Sequence, residues 1–321
     1  MTTDKEQRVH DPKARLMTFN LETDGGEEEG GKPPQRWRDA HELLARRAPD
    51  VLFRQEATFS HLNGNRRLHQ AEQALGMRGF LSPTGQGRNP TALFVRPSTF
   101  AVQQQYPQLQ VWRTPPTNVV VRLRDVPDVD VVAVSWHGAF NSPALRELEA
   151  GELSALADKM KQSKGFMGGG DCNEYPVADG EKLSPVDWTS LAASADFDRV
   201  HMEHRTTVAA DGTRVSCTAV DRKLLGCGLH DAARYAAHTQ GQTSALHATA
   251  GHASTPGQGG ARRIDRIYLD PWLVQAVLEV NVIDTTGISD HHAVEVVLSR
   301  RLMAQALRRA FPKLPPMHLA A

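Results

Sequence analysis

At 321 residues the chain has the length of one large α/β domain or of two average ones, and enough of it to bury a substantial core. Lysine plus arginine and aspartate plus glutamate stand at 37 each, so the formal net charge is zero and no overall field draws the chain to nucleic acid, although a local basic groove remains allowed. Three cysteines (Cys172, Cys217 and Cys227) without CxxC spacing exclude a disulfide framework and a thiolate zinc site.

The opening segment, MTTDKEQRVHDPKARLMTFN, carries charges throughout and no apolar core of signal-peptide length. No apolar stretch approaches the span of a bilayer, so the expectation is a soluble cytoplasmic protein with no membrane partner. Following a flexible leader over 1–13, residues 14–20 (ARLMTFN) read as a buried strand that ends in polar residues. Residues 23–34 (TDGGEEEGGKPP) read as a loop with no means of packing. Trp37, Ala40, Leu44 and Ala48 share one face of a helix that Pro49-Asp50 stops, and 51–55 (VLFRQ) is a second strand. Leu68, Ala71 and Leu75 mark another helix, closed by Gly76.

Runs of β-branched residues predict strands at 92–96, 118–124 and 129–136. A helical pattern over 143–161 runs through Leu145, Leu148, Leu153, Leu156 and Met160, and the Gly-rich GFMGGG follows at 165–170. Residues 211–258 lack periodicity and are rich in Gly, His, Thr and Ala, which predicts long surface loops. Strands return at 263–269, 277–284 and 292–298, ahead of a terminal helix and tail over 301–321. No repeat is evident and no linker divides the chain, so one catalytic-sized domain is expected over 14–300. Strands and helices in no strict alternation fit two packed mixed sheets with helices outside, a four-layer α/β/β/α sandwich.

The chemistry sits where apolar strands stop. Asn20 ends ARLMTFN, Glu56 follows VLFRQ and His137 ends VVAVSWH; Asp171 and Asn173 close GFMGGGDCN. Asp265 lies inside RRIDRIYL, and Asp290 and His291 precede HAVEVVL. Each alone has an ordinary explanation: a turn carboxylate, an Asx turn, a satisfied structural histidine, or an ion pair of Asp265 with Arg263 or Arg266. Together they supply oxygen ligands for a hard cation and imidazoles for phosphate chemistry. Magnesium takes octahedral oxygen coordination from one or two carboxylates plus substrate phosphate, and Glu56 with Asn20 makes such a half-site. The glycines before Asp171 let backbone approach a ligand closely. Arg88 and Asn89, after GQG, offer either a phosphate cradle or a plain turn. His201 and His204 read as a solvated helix face rather than a metal pair, and His230, His238, His247 and His252 as scattered loop residues. Arg54 stands beside Glu56 without a sequence explanation.

In order, TFN, RQEA, WHG, GGGDCNEYP, RIDRIYL and ISDHHAV resemble the motif series of the endonuclease/exonuclease/phosphatase superfamily, from about residue 15 to 298. The resemblance implies a deoxyribonuclease I-like fold and metal-dependent hydrolysis of phosphodiester bonds by in-line attack of water. It implies that Asn20 and Glu56 hold Mg²⁺ (or Mn²⁺), with Asp290 assisting. It further implies that His137 binds the scissile phosphate, Asp171 orients or deprotonates the attacking water, and Asn173 hydrogen-bonds the phosphoryl oxygen. His291 is expected to stabilise transition-state charge while Asp265 orients it. Cys172 falls where the family often has an apolar residue and reads as buried packing. The implied partner is a phosphoester substrate, DNA or RNA, with no obligate protein partner. The alternatives are a phosphatase or phosphodiesterase of a nucleotide or metabolite, and a catalytically silent binding module.

Overall fold

Strands whose two faces are both apolar belong inside a sheet covered on both sides. That is the setting of β1 (Lys13–Asn20) and β2 (Val51–Gln55), which pair in parallel from Leu16 opposite Val51 to Asn20 opposite Gln55. The computed structural model describes residues 11–84, 87, 89–158, 164–252 and 256–309. In it β1 and β2 are central in a six-stranded sheet flanked by β3 (Arg78–Leu81), β4 (Ala92–Val95), β13 (Val277–Ile283) and β14 (Ala293–Ser299), in the spatial order β13-β14-β1-β2-β4-β3. The second six-stranded sheet comprises β5 (Phe100–Gln105), β6 (Thr117–Leu123), β7 (Val131–His137), β8 (Gly165–Asp171), β11 (His230–Asp231) and β12 (Asp265–Leu269), in the order β11-β12-β8-β7-β6-β5. A separate hairpin joins β9 (Thr206–Val208) to β10 (Arg214–Ser216).

Side-chain alternation sorts each strand into two faces. Leu16, Val51, Phe53, Ala133, Met167 and Ile267 point between the sheets and form the main core. The opposite face of the first sheet (Met17, Phe19, Leu52) is covered by α1 (Gln35–Arg47) and α2 (Arg66–Leu75) through Trp37, Ala40, Leu44, Leu68 and Leu75. The opposite face of the second (Val132, Val134, Trp136, Tyr268) is covered by α3 (Pro143–Ala157) and, beyond the short α4 (Trp188–Ala192) and α5 (Arg199–Arg205), by α6 (Ala219–Gly226). Two further helices, α7 (Ala232–Gln240) and α8 (Arg300–Arg308), join the main core through Ala233, Ala236, Met303 and Leu307. The result is the expected α/β/β/α sandwich.

The glycines of β8 are space, not flexibility. A Cβ on Gly169 would lie 2.5 Å from Phe53 Cδ2 of the other sheet, and one on Gly170 would lie 2.2 Å from the Trp136 carbonyl oxygen. Phe53 therefore occupies the room a side chain at Gly169 would need, and Asp171, two residues on, faces the first sheet on the same side of the strand.

Several expectations are corrected. Residues 23–34 are not free of packing: Glu22–Gly25 form a tight turn, left-handed at Thr23 and Asp24, that buries Asp24. Asp24 Oδ1 meets Arg54 Nη2 at 2.7 Å, Ser60 Oγ donates to its Oδ2 at 3.3 Å, and Arg67 Nη1 lies 3.5 Å from that oxygen. Arg54 thus has its account: it faces the helical side of β2 and neutralises a buried carboxylate. Ala48 is an exposed left-handed cap of α1 rather than part of its buried face. In α3 the buried face runs through Arg146, Glu149, Ala150 and Leu153, leaving Leu148 exposed, because Glu149 accepts from the backbone N–H groups of Arg113 and Ala139. Met160 lies outside the described residues. Residues 211–258 hold β10, α6, β11 and α7 rather than only loops. The buried face of α7 is made of alanines, whose small apolar contrast hides the helical period.

Gly169→Ala should cost about 1–3 kcal/mol, the usual penalty of overpacking, read as a lowered denaturation midpoint at constant slope; an unshifted midpoint would show that Phe53 yields freely. Arg54→Met leaves the buried Asp24 only the longer contact with Arg67 and the Ser60 hydroxyl and should cost about 3–5 kcal/mol, measured in the same way, and a loss below about 1 kcal/mol would show that Arg67 suffices.

Candidate active site

The alternation that builds the core also builds the site. Asn20 continues the inward face of Leu16 and Thr18, His137 that of Ala133 and Ser135, and Asp171 that of Met167 and Gly169, while Asp265 starts the inward face of β12. Asp171 is the register partner of both His137 and Asp265, so its neighbours on either side are fixed by the sheet ladder. His291 precedes β14 and is tied by a bridge to Ala250, which also bridges Arg262.

Asp171 is the meeting point. Its Oδ2 accepts from Asn20 Nδ2 at 3.2 Å across the two sheets, and lies 3.4 Å from His137 Nε2 and 3.8 Å from His291 Nε2. Its Oδ1 accepts the Asn173 N–H at 2.8 Å, within a turn where Asn173 has a left-handed φ of 50°. Asp265 Oδ2 holds His291 Nδ1 at 2.8 Å, which leaves Nε2 toward the cavity. The Thr249 hydroxyl accepts the N–H groups of Ile264 and Asp265 and fixes the carboxylate's backbone. Glu56 also has a left-handed φ, 54°. Its two oxygens accept from Asn20 Nδ2 at 3.3 Å and from the Thr23 N–H at 2.7 Å. The turn that Arg54 anchors through Asp24 therefore ends in a hydrogen bond to Glu56.

Electrostatics follow from burial and proximity. Burial opposes charge on His291, yet the carboxylates of Asp265 and Asp171 outweigh it and raise the imidazole to about 10. His137 is also raised, its burial outweighed by Asp171. Asp171 is buried as well, but His291 and His137 hold it well below the usual carboxylate range. Burial pushes Asp265 up, with His291 pulling the other way. The pocket thus sets carboxylate oxygens beside two imidazoles whose proton affinity they raise. Cys172, fully buried, has its thiol pushed up to about 12 and is packing, as expected.

Asn20 Oδ1 is buried and has no hydrogen-bond partner among the described residues. Leaving such an atom unsatisfied costs about 1–3 kcal/mol. An oxygen donor of this kind beside the Glu56 carboxylate fits a hard divalent cation. Asp171, Asp265 and His291 also bring potential ligand atoms within 4.8 Å of one another, though the Asp265–His291 contact is already a short hydrogen bond.

Asp290 is exposed at the same corner, where Ser289 Oγ lies 3.3 Å from its Oδ1 and donates to the Asn20 carbonyl at 2.8 Å. Asn89 Oδ1 accepts from the Thr58 hydroxyl at 3.0 Å, two residues after Glu56. Arg88 lies outside the described residues. The sequence reading missed Arg205, which donates to the Asn173 side-chain oxygen at 2.7 Å and to its carbonyl at 2.8 Å. Nothing in HMEHRTT marks it, since its role depends on an excursion folding back onto the site.

A family model described as the Endonuclease/Exonuclease/phosphatase family matches residues 17–291, a span that contains every residue of this cluster. No curated protein matches. Among solved structures, a 3'-5' exonuclease (NExo) from Neisseria meningitidis is 21% identical with a TM-score of 0.57, over 88% of this chain and 98% of that one. Truncated Caenorhabditis elegans TDP2 is 17% identical with a TM-score of 0.55, over 89% and 98%. The endonuclease domain of TRAS1, a telomere-specific non-LTR retrotransposon, is 17% identical with a TM-score of 0.53, over 89% and 98%. At these identities the likeness is one of fold. The family match, over most of the length, carries the assignment: the chain belongs to the endonuclease/exonuclease/phosphatase family, hydrolases of phosphoester bonds.

Proposed function

We propose that this chain is a nuclease, cleaving phosphodiester bonds with Mg²⁺ or Mn²⁺. The observation that carries the reading is one buried carboxylate, Asp171, shared between an amide with an unpartnered oxygen and two imidazoles. Asn20 Oδ1 and the Glu56 carboxylate would hold the cation, with Asp290 assisting from the rim. When bound, a hard cation neutralises charge on the non-bridging oxygens. Asp171 orients or deprotonates the attacking water. His137 Nε2 and His291 Nε2 donate to the phosphate oxygens where negative charge grows. Asp265 keeps His291 in the tautomer and orientation that expose Nε2. Asn173 spends one amide N–H on the Gly138 carbonyl at 3.0 Å and offers the other to the phosphoryl oxygen.

Support for nucleic acid comes from the neighbours: one NExo structure is bound to a product DNA hairpin, and a D. rerio TDP2 structure is complexed with single strand DNA product. A second reading, hydrolysis of a small nucleotide ester, is favoured by a cavity bordered by Arg214–Arg222, inside the segment expected to hold loops.

The purified chain, assayed with Mg²⁺, Mn²⁺ or EDTA on plasmid, single-stranded DNA, RNA and a panel of small phosphate esters, should cleave nucleic acid only with metal. Cleavage confined to small esters would replace the nuclease reading by the second one, and no metal-dependent cleavage would sink both. His291→Ala should lower turnover by about 10²–10⁴-fold with an unchanged circular dichroism spectrum; undiminished turnover would remove His291 from the mechanism. Glu56→Gln should raise the Mg²⁺ concentration for half-maximal rate about tenfold or more, and an unaltered metal titration would contradict its role as ligand.

A further inference from the structure

The loop that leaves the site after Asn173 does not return directly to the core. Tyr175, Val177, Leu183 and Val186 instead line a cavity of about 350 Å³ together with residues of the β9–β10 hairpin and with Arg222, Arg262 and Arg263. That volume suits one small organic ligand. The walls are fixed before any ligand arrives. Glu181 is clamped by Arg263 Nε at 2.9 Å and by Arg234 Nη2 at 3.0 Å, and Arg234 Nη2 also donates to the Val177 carbonyl at 3.0 Å. Asp221 accepts the Val177 N–H at 2.7 Å. A preformed pocket avoids the ordering cost of binding.

Charge in the cavity is one-sided. Glu181, the acidic residue among those lining it, is consumed by Arg263 and Arg234. Arg214 is paired with Glu203. Arg222 and Arg262 have no carboxylate partner among the described residues: Arg222 donates to the Thr218 hydroxyl, and Arg262 Nη1 to the Ala261 carbonyl. Arg262 Nε and the Nη1 of the buried Arg263 have no hydrogen-bond partner at all among the described residues. The Arg262 guanidinium lies over the Tyr175 ring, 5.9 Å from its centre. Apolar walls, an aromatic ring and uncompensated arginines together select an anion with a flat, largely apolar body.

The cavity is tied to the candidate site through the backbone. Tyr175 is two residues beyond Asn173, and Arg262 and His291 are bridged to the same residue, Ala250. We propose that this cavity binds a single nucleotide unit, its phosphate drawn to Arg222 and Arg262 and its base and sugar laid against Tyr175, Val177, Leu183 and Val186. The choice of a nucleotide over other organic phosphates rests on the nuclease reading above.

The test is calorimetric titration of the full chain, in EDTA, with thymidine monophosphate and adenosine monophosphate, beside inorganic phosphate and thymidine as probes of each half. Saturable binding of a nucleotide is expected, weakened about tenfold or more in Arg222→Gln and in Arg262→Gln, and kept in His291→Ala. Arg222 is exposed, so its variant retains the fold even if Arg262→Gln does not. Absence of binding, inorganic phosphate binding as tightly as the nucleotide, or affinity lost in His291→Ala but kept in Arg222→Gln would each overturn the assignment. The measurement needs neither metal nor turnover. A chain that binds the nucleotide and cleaves no nucleic acid loses only the nuclease reading, and one that cleaves without binding loses only this one.

Discussion

Everything in the site depends on how closely the two sheets meet at Gly169. With Phe53 filling the volume a side chain would take there, the first sheet comes near enough for Asn20 to donate to Asp171 across the gap. Stacked sheets ordinarily stand about 10 Å apart, a distance that apolar side chains fill. Here polar residues complete the inner face at its carboxyl-terminal edge. Gln55 donates to Ser135 at 3.2 Å and Ser135 to the Arg54 carbonyl at 3.1 Å, so the sheets are already cross-linked by hydrogen bonds one residue before the reactive groups begin.

Such a site is held against its own cost. Glu56 and Asn173 occupy left-handed backbone conformations that residues with side chains adopt reluctantly, each at roughly 1–3 kcal/mol. Asp171, Asp265, His137 and His291 are all buried, where an isolated charge is expensive. Mutual compensation makes the arrangement tolerable: two imidazoles offset two carboxylates, and the Asn173 turn is clamped from outside by Arg205. The same logic recurs behind Glu56, where Arg54 and Arg67 converge on Asp24. Removing Asp24, or one of the imidazoles beside Asp171, leaves buried charge less well compensated.

Much of this was legible in the chain because period-two alternation is a local code. Once ARLMTFN, VVAVSWH and GFMGGGD are read as strands, the parity of Asn20, His137 and Asp171 follows from their apolar neighbours. What stayed hidden was long-range or low in contrast. Asp24 looked like one more polar loop residue, since its partner Arg54 lies thirty positions away on another element. The alanine face of α7 gave no amphipathic signal, and β3 and β5 are short or half-exposed strands at sheet edges. Arg205 and Thr249 act on backbone and amide groups of the site from excursions whose docking no local pattern encodes.

The pairing of β1 with β14 carries a consequence for how the chain acquires its site. Lys13 lies opposite Ser299 and Thr18 opposite Val294, in the middle of the first sheet rather than at its edge. Asn20 emerges some 270 residues before His291 and the strand behind it. At about 5–20 residues per second, the ribosome keeps the two apart for roughly 14–54 s. During that interval β1 has an unpaired flank, open to chaperones or to wrong partners. A nascent chain thus carries Asn20 and Glu56 well before the imidazole opposite them, and the cluster around Asp171 closes only when β14 docks on β1.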